Sequence, residues 1–116
     1  MHFFYERMLD KGTRETISNW ISEAGRIVIL THTNPDGDAI GSSLALGLAL
    51  QKKKIDAQVI IPDGLPDFLR WLPGIRLSTT FAYKKEKAAE FIGQADLIFC
   101  LDFNDPNRLN GMEELM

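Results

Sequence analysis

At 116 residues the chain is long enough for one domain with one modest core, and too short for two. Its 45% hydrophobic and 25% charged fractions are those of an ordinary soluble globular protein. Thirteen Lys and Arg against sixteen Asp and Glu leave a formal net charge of -3, which argues against a general electrostatic grip on duplex nucleic acid while leaving room for a local basic patch.

The first residues, Met1 to Arg7, hold no long uncharged apolar stretch. Neither a signal peptide nor a membrane span is predicted, and the cytoplasm is the expected setting. Residues 10–24 read as a helix, with Ile17, Trp20, Ile21 and Ala24 at three- and four-residue spacing and Gly25 placed to end it. Arg26 to Leu30 is short, branched and apolar, as a strand buried on both faces should be. A turn rich in His and Asp follows. A second helix is predicted from about Ala39 to Lys53, apolar nearly all round and therefore central. Lys52, Lys53 and Lys54 close it at the end where cations suit the helix dipole.

Ala57 to Ile61 reads as a second strand, stopped by Pro62-Asp63-Gly64. Pro66 to Gly74 suits one or two helical turns between prolines. A short strand is predicted over 77–82. A charged surface helix from Lys84 to Gln94 turns Ala88, Phe91 and Ile92 inward, and a last strand, Asp96 to Leu101, ends at Asp102. Strands alternating with helices imply an α/β fold: an open, doubly wound, mainly parallel sheet with helices on both faces. The single cysteine, Cys100, has no intramolecular disulfide partner and is expected to be a small buried core residue. The chain stops where another helix would begin, so these 116 residues are expected to be the N-terminal part of a longer protein.

The turn Thr31 to Ser42 packs His32, Asp36 and Asp38 into seven residues. It has a plain structural explanation: Asn34-Pro35-Asp36-Gly37 is a strong turn signal, and Asp38 before Ala39 would cap the helix. Three observations favour chemistry. One capping carboxylate suffices where two are present, and confined carboxylates repel unless a cation neutralises them. His32 falls just beyond a buried strand, where a core histidine is less expected. In open parallel sheets ligands bind at the carboxyl ends of strands, and Asp102 sits at that end of the last strand. If the two strands are neighbours, His32, Asp36, Asp38 and Asp102 meet on one edge. Such a set favours a divalent metal taking oxygen and nitrogen, such as manganese, over calcium; zinc is chemically admissible but has no nearby thiolate to favour it. The amides of the helix that follows, with small Gly41 and Ser42, suit an anion. Metal beside an anion site describes a phosphate-processing centre.

The stretch His32 to Ser42 resembles the first motif of the DHH phosphoesterase family. Leu97 to Asp102, followed by Asn104, Asp105 and Arg108-Leu109, is similar to its second motif. The resemblance runs from Arg26 onward and is nearest to the branch of oligoribonucleases that also hydrolyse 3′-phosphoadenosine 5′-phosphate. It implies a two-manganese phosphohydrolase in which His32 and Asp36 bind one metal, Asp38 the other, and Asp102 bridges the two. The implied partners are short single-stranded RNA or a nucleotide, with no duplex DNA and no membrane, and a homodimer as a candidate assembly of the intact protein. The family's third motif, Asp-His-His, and its C-terminal substrate-binding domain have no counterpart here, since the only histidines are His2 and His32. The isolated chain is therefore expected to be inactive or nearly so. The alternatives are a non-catalytic metal- or nucleotide-binding fragment, or a family member acting on pyrophosphate, polyphosphate or cyclic dinucleotides.

Other residues admit two readings each. Lys52 to Lys54 and Lys84, Lys85 and Lys87 could guide an RNA backbone, but charged helix ends are usually just solvated. Phe68 and Trp71 could stack a base, although packing is the expected role. Arg108 is placed either to reach a phosphate or to form a loop ion pair with a nearby acid such as Asp105.

Overall fold

The computed structural model describes residues 10–32 and 36–101. Helix α1 (Lys11–Glu23) leads into β1 (Arg26–Leu30), then α2 (Gly37–Lys52), β2 (Asp56–Ile61), two 3₁₀ turns (Asp67–Leu69 and Ile75–Leu77), β3 (Ser78–Thr80), α3 (Lys85–Gln94) and β4 (Leu97–Cys100). The four strands form one parallel sheet in the order β3-β2-β1-β4.

The predicted doubly wound arrangement is present, and β1 shows why. Its alternate residues serve two cores. Ile27 and Ile29 join Ile40, Leu44 and Leu50 of α2, with Ile21 and Ala24 of α1 packed alongside. Val28 and Leu30 join Ile60, Phe81, Ala88 and Ile92, so α3 covers the opposite face. A continuously apolar strand is what two covered faces demand, each fully buried Ile or Leu contributing roughly 1.5–3 kcal/mol. The start of β1 is clamped to the start of β4. Asp96 Oδ2 accepts from the N–H groups of Gly25 at 2.8 Å and Arg26 at 2.9 Å, and Asp96 N–H donates to Arg26 O at 2.8 Å. That clamp fixes the register in which Leu30 lies opposite Cys100.

Helix α2 ends in a Schellman turn. Lys54 N–H donates to Gln51 O and Ile55 N–H to Leu50 O, with Lys54 itself at φ 64°. The crossover from β2 to β3 then runs beside α2. Gly74, at φ 84°, lies so close that an added Cβ would stand 2.9 Å from Leu48 Cγ, so glycine is required there twice over.

Four expectations need correction. Trp20 does not face inward: it is 55% exposed, because α1 meets the core along the narrow stripe of Ile21 and Ala24. Helix α2 is not enclosed all round, since Ala45, Leu48 and Ala49 point to solvent and only the sheet-facing stripe is buried. Cys100 is exposed, because on its face of the sheet the core reaches Ile98 of β4 and no further, while Phe99 and Leu101 pack on the other face. Burial nonetheless remains sufficient to push its thiol pKa up. Phe68 and Trp71 do not pack into the core: they are 73% and 74% exposed.

The reason lies in a three-residue period. Leu69 N–H donates to Pro66 O, Arg70 N–H to Asp67 O and Leu72 N–H to Leu69 O. In such a 3₁₀ turn residues i and i+3 eclipse. Asp67-Phe68-Leu69-Arg70-Trp71-Leu72 therefore sorts into three ridges. Leu69 and Leu72 take the core, Asp67 and Arg70 pair at 2.9 Å, and Phe68 and Trp71 are left outside.

Candidate functional site at the carboxyl edge of the sheet

Because all four strands are parallel, the segments that follow β1, β2 and β3 leave from one edge. His32 is two residues beyond β1 and buried, at 6% exposure. Thr31, between β1 and His32, is held by its N–H to Ile60 O at 3.2 Å. Asp36 and Asp38 are both exposed at the start of α2.

Asp36, not Asp38, caps that helix. Its backbone is extended, with φ −85° and ψ 179°, and Oδ1 accepts from Ala39 N–H at 2.8 Å. Asp38 instead occupies the first turn, where a carboxylate favours the positive end of the helix dipole. The shift of two residues has a simple cause. An N-cap oxygen bonds the amide three residues on, and Asp36 reaches Ala39 once Gly37 takes the first helical position. Both carboxylates are therefore partly explained by folding, and the cap bond takes Oδ1 of Asp36.

The early start of α2 also redistributes the anion-binding role. The unpaired amides of a helix are those of the cap and the first three residues. Here these belong to Asp36, Gly37, Asp38 and Ala39, and the Ala39 amide is taken by the cap. Gly41 and Ser42 lie one turn deeper, where amides belong to the helix's own ladder. What Gly41 supplies is room: among the described residues a Cβ there would meet nothing within 4 Å. Ser42 is exposed and offers its hydroxyl. Two polar groups escaped the sequence reading. Thr31 Oγ1 and Ser43 Oγ are fully buried with no hydrogen-bond partner among the described residues. The signal for Thr31 was a hydroxyl closing an otherwise apolar strand.

β1 and β4 are neighbours, as the convergence of the two motifs requires. Their pairing extends past the strands, with Leu101 N–H donating to Leu30 O at 3.3 Å. Asp102, the next residue, lies outside the described residues, as does Arg108. Among the described residues no three His, Cys, Asp or Glu side chains come close enough together to hold a metal ion. In kind, the donors at this edge suit a divalent metal: one imidazole, and one carboxylate held at Oδ1 by the helix cap beside a second carboxylate. In number, they do not close a site without Asp102. No helix among the described residues is long and apolar enough to cross a membrane.

Comparison with known proteins gives a consistent picture. Residues 26–116 match the DHH family, N-terminal domain. The bifunctional oligoribonuclease and PAP phosphatase NrnA of Thermus thermophilus is 36% identical over 91 residues, which is 76% of this chain and 24% of that protein. The crystal structure of an exopolyphosphatase-related protein from Bacteroides fragilis superposes with a TM-score of 0.84 at 40% identity, covering 87% of this chain and 30% of that one. The chain thus spans about a quarter of the length of the curated relative it matches.

Proposed function

The chain belongs to the DHH family, and from that premise we propose that it supplies one wall of a manganese-dependent phosphoesterase centre hydrolysing short oligoribonucleotides, 3′-phosphoadenosine 5′-phosphate, or both. At the level of the family it is a hydrolase of the phosphoesterase class. The observation that carries the reading is the pairing of β1 with β4, which brings the strand that leads into the first motif beside the strand that opens the second, as far as Leu30 and Leu101. On this reading His32, Asp36, Asp38 and Asp102 hold two manganese ions. The metals, when bound, lower the pKa of water and polarise the phosphoryl oxygen.

The remaining parts are the chain's own. Cap formation holds Asp36 in one orientation, so its ligand oxygen is positioned before any metal arrives. Asp38 sits on the first turn of the same rigid helix. The amides of Gly37 and Asp38 and the hydroxyl of Ser42 face an anion with favourable dipole sign, and the space over Gly41 admits it. Arg108 adds a planar donor for a phosphate oxygen.

Manganese titration by calorimetry on the chain, with Asp36→Ala and Asp102→Ala beside it, tests the proposal. Binding tighter than millimolar that both substitutions weaken is the expected result. Absence of binding at that level removes an independently formed metal wall. The same preparations should show little or no hydrolysis of oligoribonucleotides. Manganese-dependent turnover abolished by Asp102→Ala would overturn the expectation that these 116 residues are inactive alone.

A further inference from the structure

Four aromatic and cationic features follow one another along the carboxyl edge on the side away from β4. Phe68 and Trp71 form the exposed ridge of the 3₁₀ turn. That turn is docked next to the candidate site, because Leu69 reaches the start of α2, its Cδ2 lying 3.9 Å from where a Cβ on Gly37 would be. Arg70, between the two aromatics, shares a groove with Tyr83. Tyr83 is 77% exposed and sits over the turn after β2, its hydroxyl 2.8 Å from the place of a Cβ on Gly64. A second groove joins Tyr83 to Lys84, Lys85 and Lys87 at the start of α3.

Folding alone does not account for this band. Phe68, Trp71 and Tyr83 each leave most of a ring uncovered by the described residues, out of about 150–250 Å² that such a side chain can bury. Lysines at a helix N-terminus oppose its dipole. Lys84 occupies the cap position without making a cap hydrogen bond, and the ammonium groups of Lys85 and Lys87 lie over the rings of Phe81 and Phe91 at 5.8 and 5.7 Å. Asp67 (paired with Arg70), Glu86 and Asp63 of the turn after β2 temper the charge of Arg70 and the three lysines without reversing it.

Resting on the reading of the site as an oligonucleotide hydrolase, we propose that this band is the track on which a single-stranded nucleic acid lies as it leads away from the metal turn. Aromatic faces alternating with cations are the chemistry that such a strand recognises: bases stack on the rings and phosphates meet the cations, without sequence preference. The strand runs from the start of α2 over Phe68 and Trp71, past Arg70 and Tyr83, to the lysines of α3. The band is a length sensor. A dinucleotide held at the turn covers less of it than a strand of several nucleotides does.

The test is fluorescence anisotropy of labelled oligoadenylates of two and twelve nucleotides on the 116-residue chain in EDTA, so that metal binding plays no part. The twelve-mer should bind more tightly than the dimer. Phe68→Ala and Trp71→Ala should each weaken the twelve-mer about five- to a hundred-fold, the range for loss of one base stack. Replacing Lys84, Lys85 and Lys87 with Gln should lower the slope of log affinity against log salt by about 2. With Trp20→Phe as background, the twelve-mer should also quench Trp71 fluorescence. Unchanged affinity in both aromatic variants overturns the track, whatever the manganese titration shows. So does a chain whose self-association, rather than oligonucleotide binding, is lost with those substitutions. Conversely, a chain that binds the twelve-mer in this pattern but takes no manganese keeps the track and loses the independently formed metal wall.

Discussion

The N-termini of α2 and α3 open onto the same edge of the sheet with opposite chemistry. Helix α2 begins with an aspartate whose side chain caps it and carries another in the first turn. Helix α3 begins with a lysine that makes no side-chain cap and adds two more lysines in its first turns. Dipole and capping both favour the first arrangement and disfavour the second. Acids at α2 are thus stabilised by the fold that presents them, which makes them rigid. The lysines at α3 are tolerated against local preference, and a conflict of that kind is where function is to be sought.

The largest effect that can break this comparison is at Asp36. Replacing it with Ala should cost about 1 kcal/mol through the lost cap, a fall of roughly 4–8 °C in melting temperature. Asparagine caps nearly as well as aspartate, so Asp36→Asn should hold the melting temperature while metal affinity falls as far as in the Ala variant. Thermal unfolding beside manganese titration separates the two roles. If Asn melts as low as Ala, the carboxylate charge rather than the hydrogen bond holds the helix end. If Asn binds manganese like the wild type, Asp36 leaves the ligand set.

The mirror-image substitution is Lys84→Asp, which gives α3 the capping acid it lacks beside Glu86 of its first turn. Up to about 1 kcal/mol of stabilisation is expected, less than at a fully extended cap, because Lys84 sits at φ −135° and ψ 58°. Oligonucleotide affinity should fall in the same variant. A more stable protein that binds the strand as well as before would show that Lys84 is merely solvated. Gly41→Ala is a smaller test on the α2 side. With nothing near the new methyl, helix propensity alone should stabilise by roughly 0.5–1 kcal/mol. Binding of inorganic phosphate, followed by calorimetry, should weaken if an anion uses that space, and stay constant if the space is idle.

Legibility in the sequence followed the same division. Three strands were readable because Ile27 to Leu30, Val59 to Ile61 and Leu97 to Cys100 are unbroken apolar runs. The turn holding His32, Asp36 and Asp38 stood out by composition. Its register did not, because two aspartates compete for one cap, and only the placement of Gly37 in the first turn decides for Asp36. The aromatic ridge was hidden for a different reason. Over six residues a period of three looks like the helical 3.6, so Phe68 and Trp71 passed for the buried pair until Leu69 and Leu72 were seen to hold that place. Trp20 misled in the same way, as apolar spacing shows which residues could face a core but not how wide the contact is. The carboxyl edge could be anticipated; which of its side chains remain in solvent depended on packing that no local pattern encodes.

A third N-terminus shows what capping does where no ligand is in view. Asp10 caps α1, accepting from Thr13 N–H at 2.7 Å and from the Thr13 hydroxyl at 2.9 Å. First the amide bond and then the hydroxyl bond hold its carboxyl below the ordinary value of 3.8. A carboxylate whose pKa is lower folded than unfolded stabilises the fold above the unfolded value and loses that contribution as pH falls through the folded one. The stabilisation from Asp10 should therefore be complete at neutral pH and fade below 3.8. Asparagine at position 10 keeps a cap but cannot titrate. The difference in melting temperature between wild type and Asp10→Asn should thus be flat from pH 7 to 5 and shift in favour of the variant at pH 3. A difference that stays flat to pH 3 would mean that the end of α1 frays in solution, leaving Asp36 as the one carboxylate cap that the fold holds rigid among those compared.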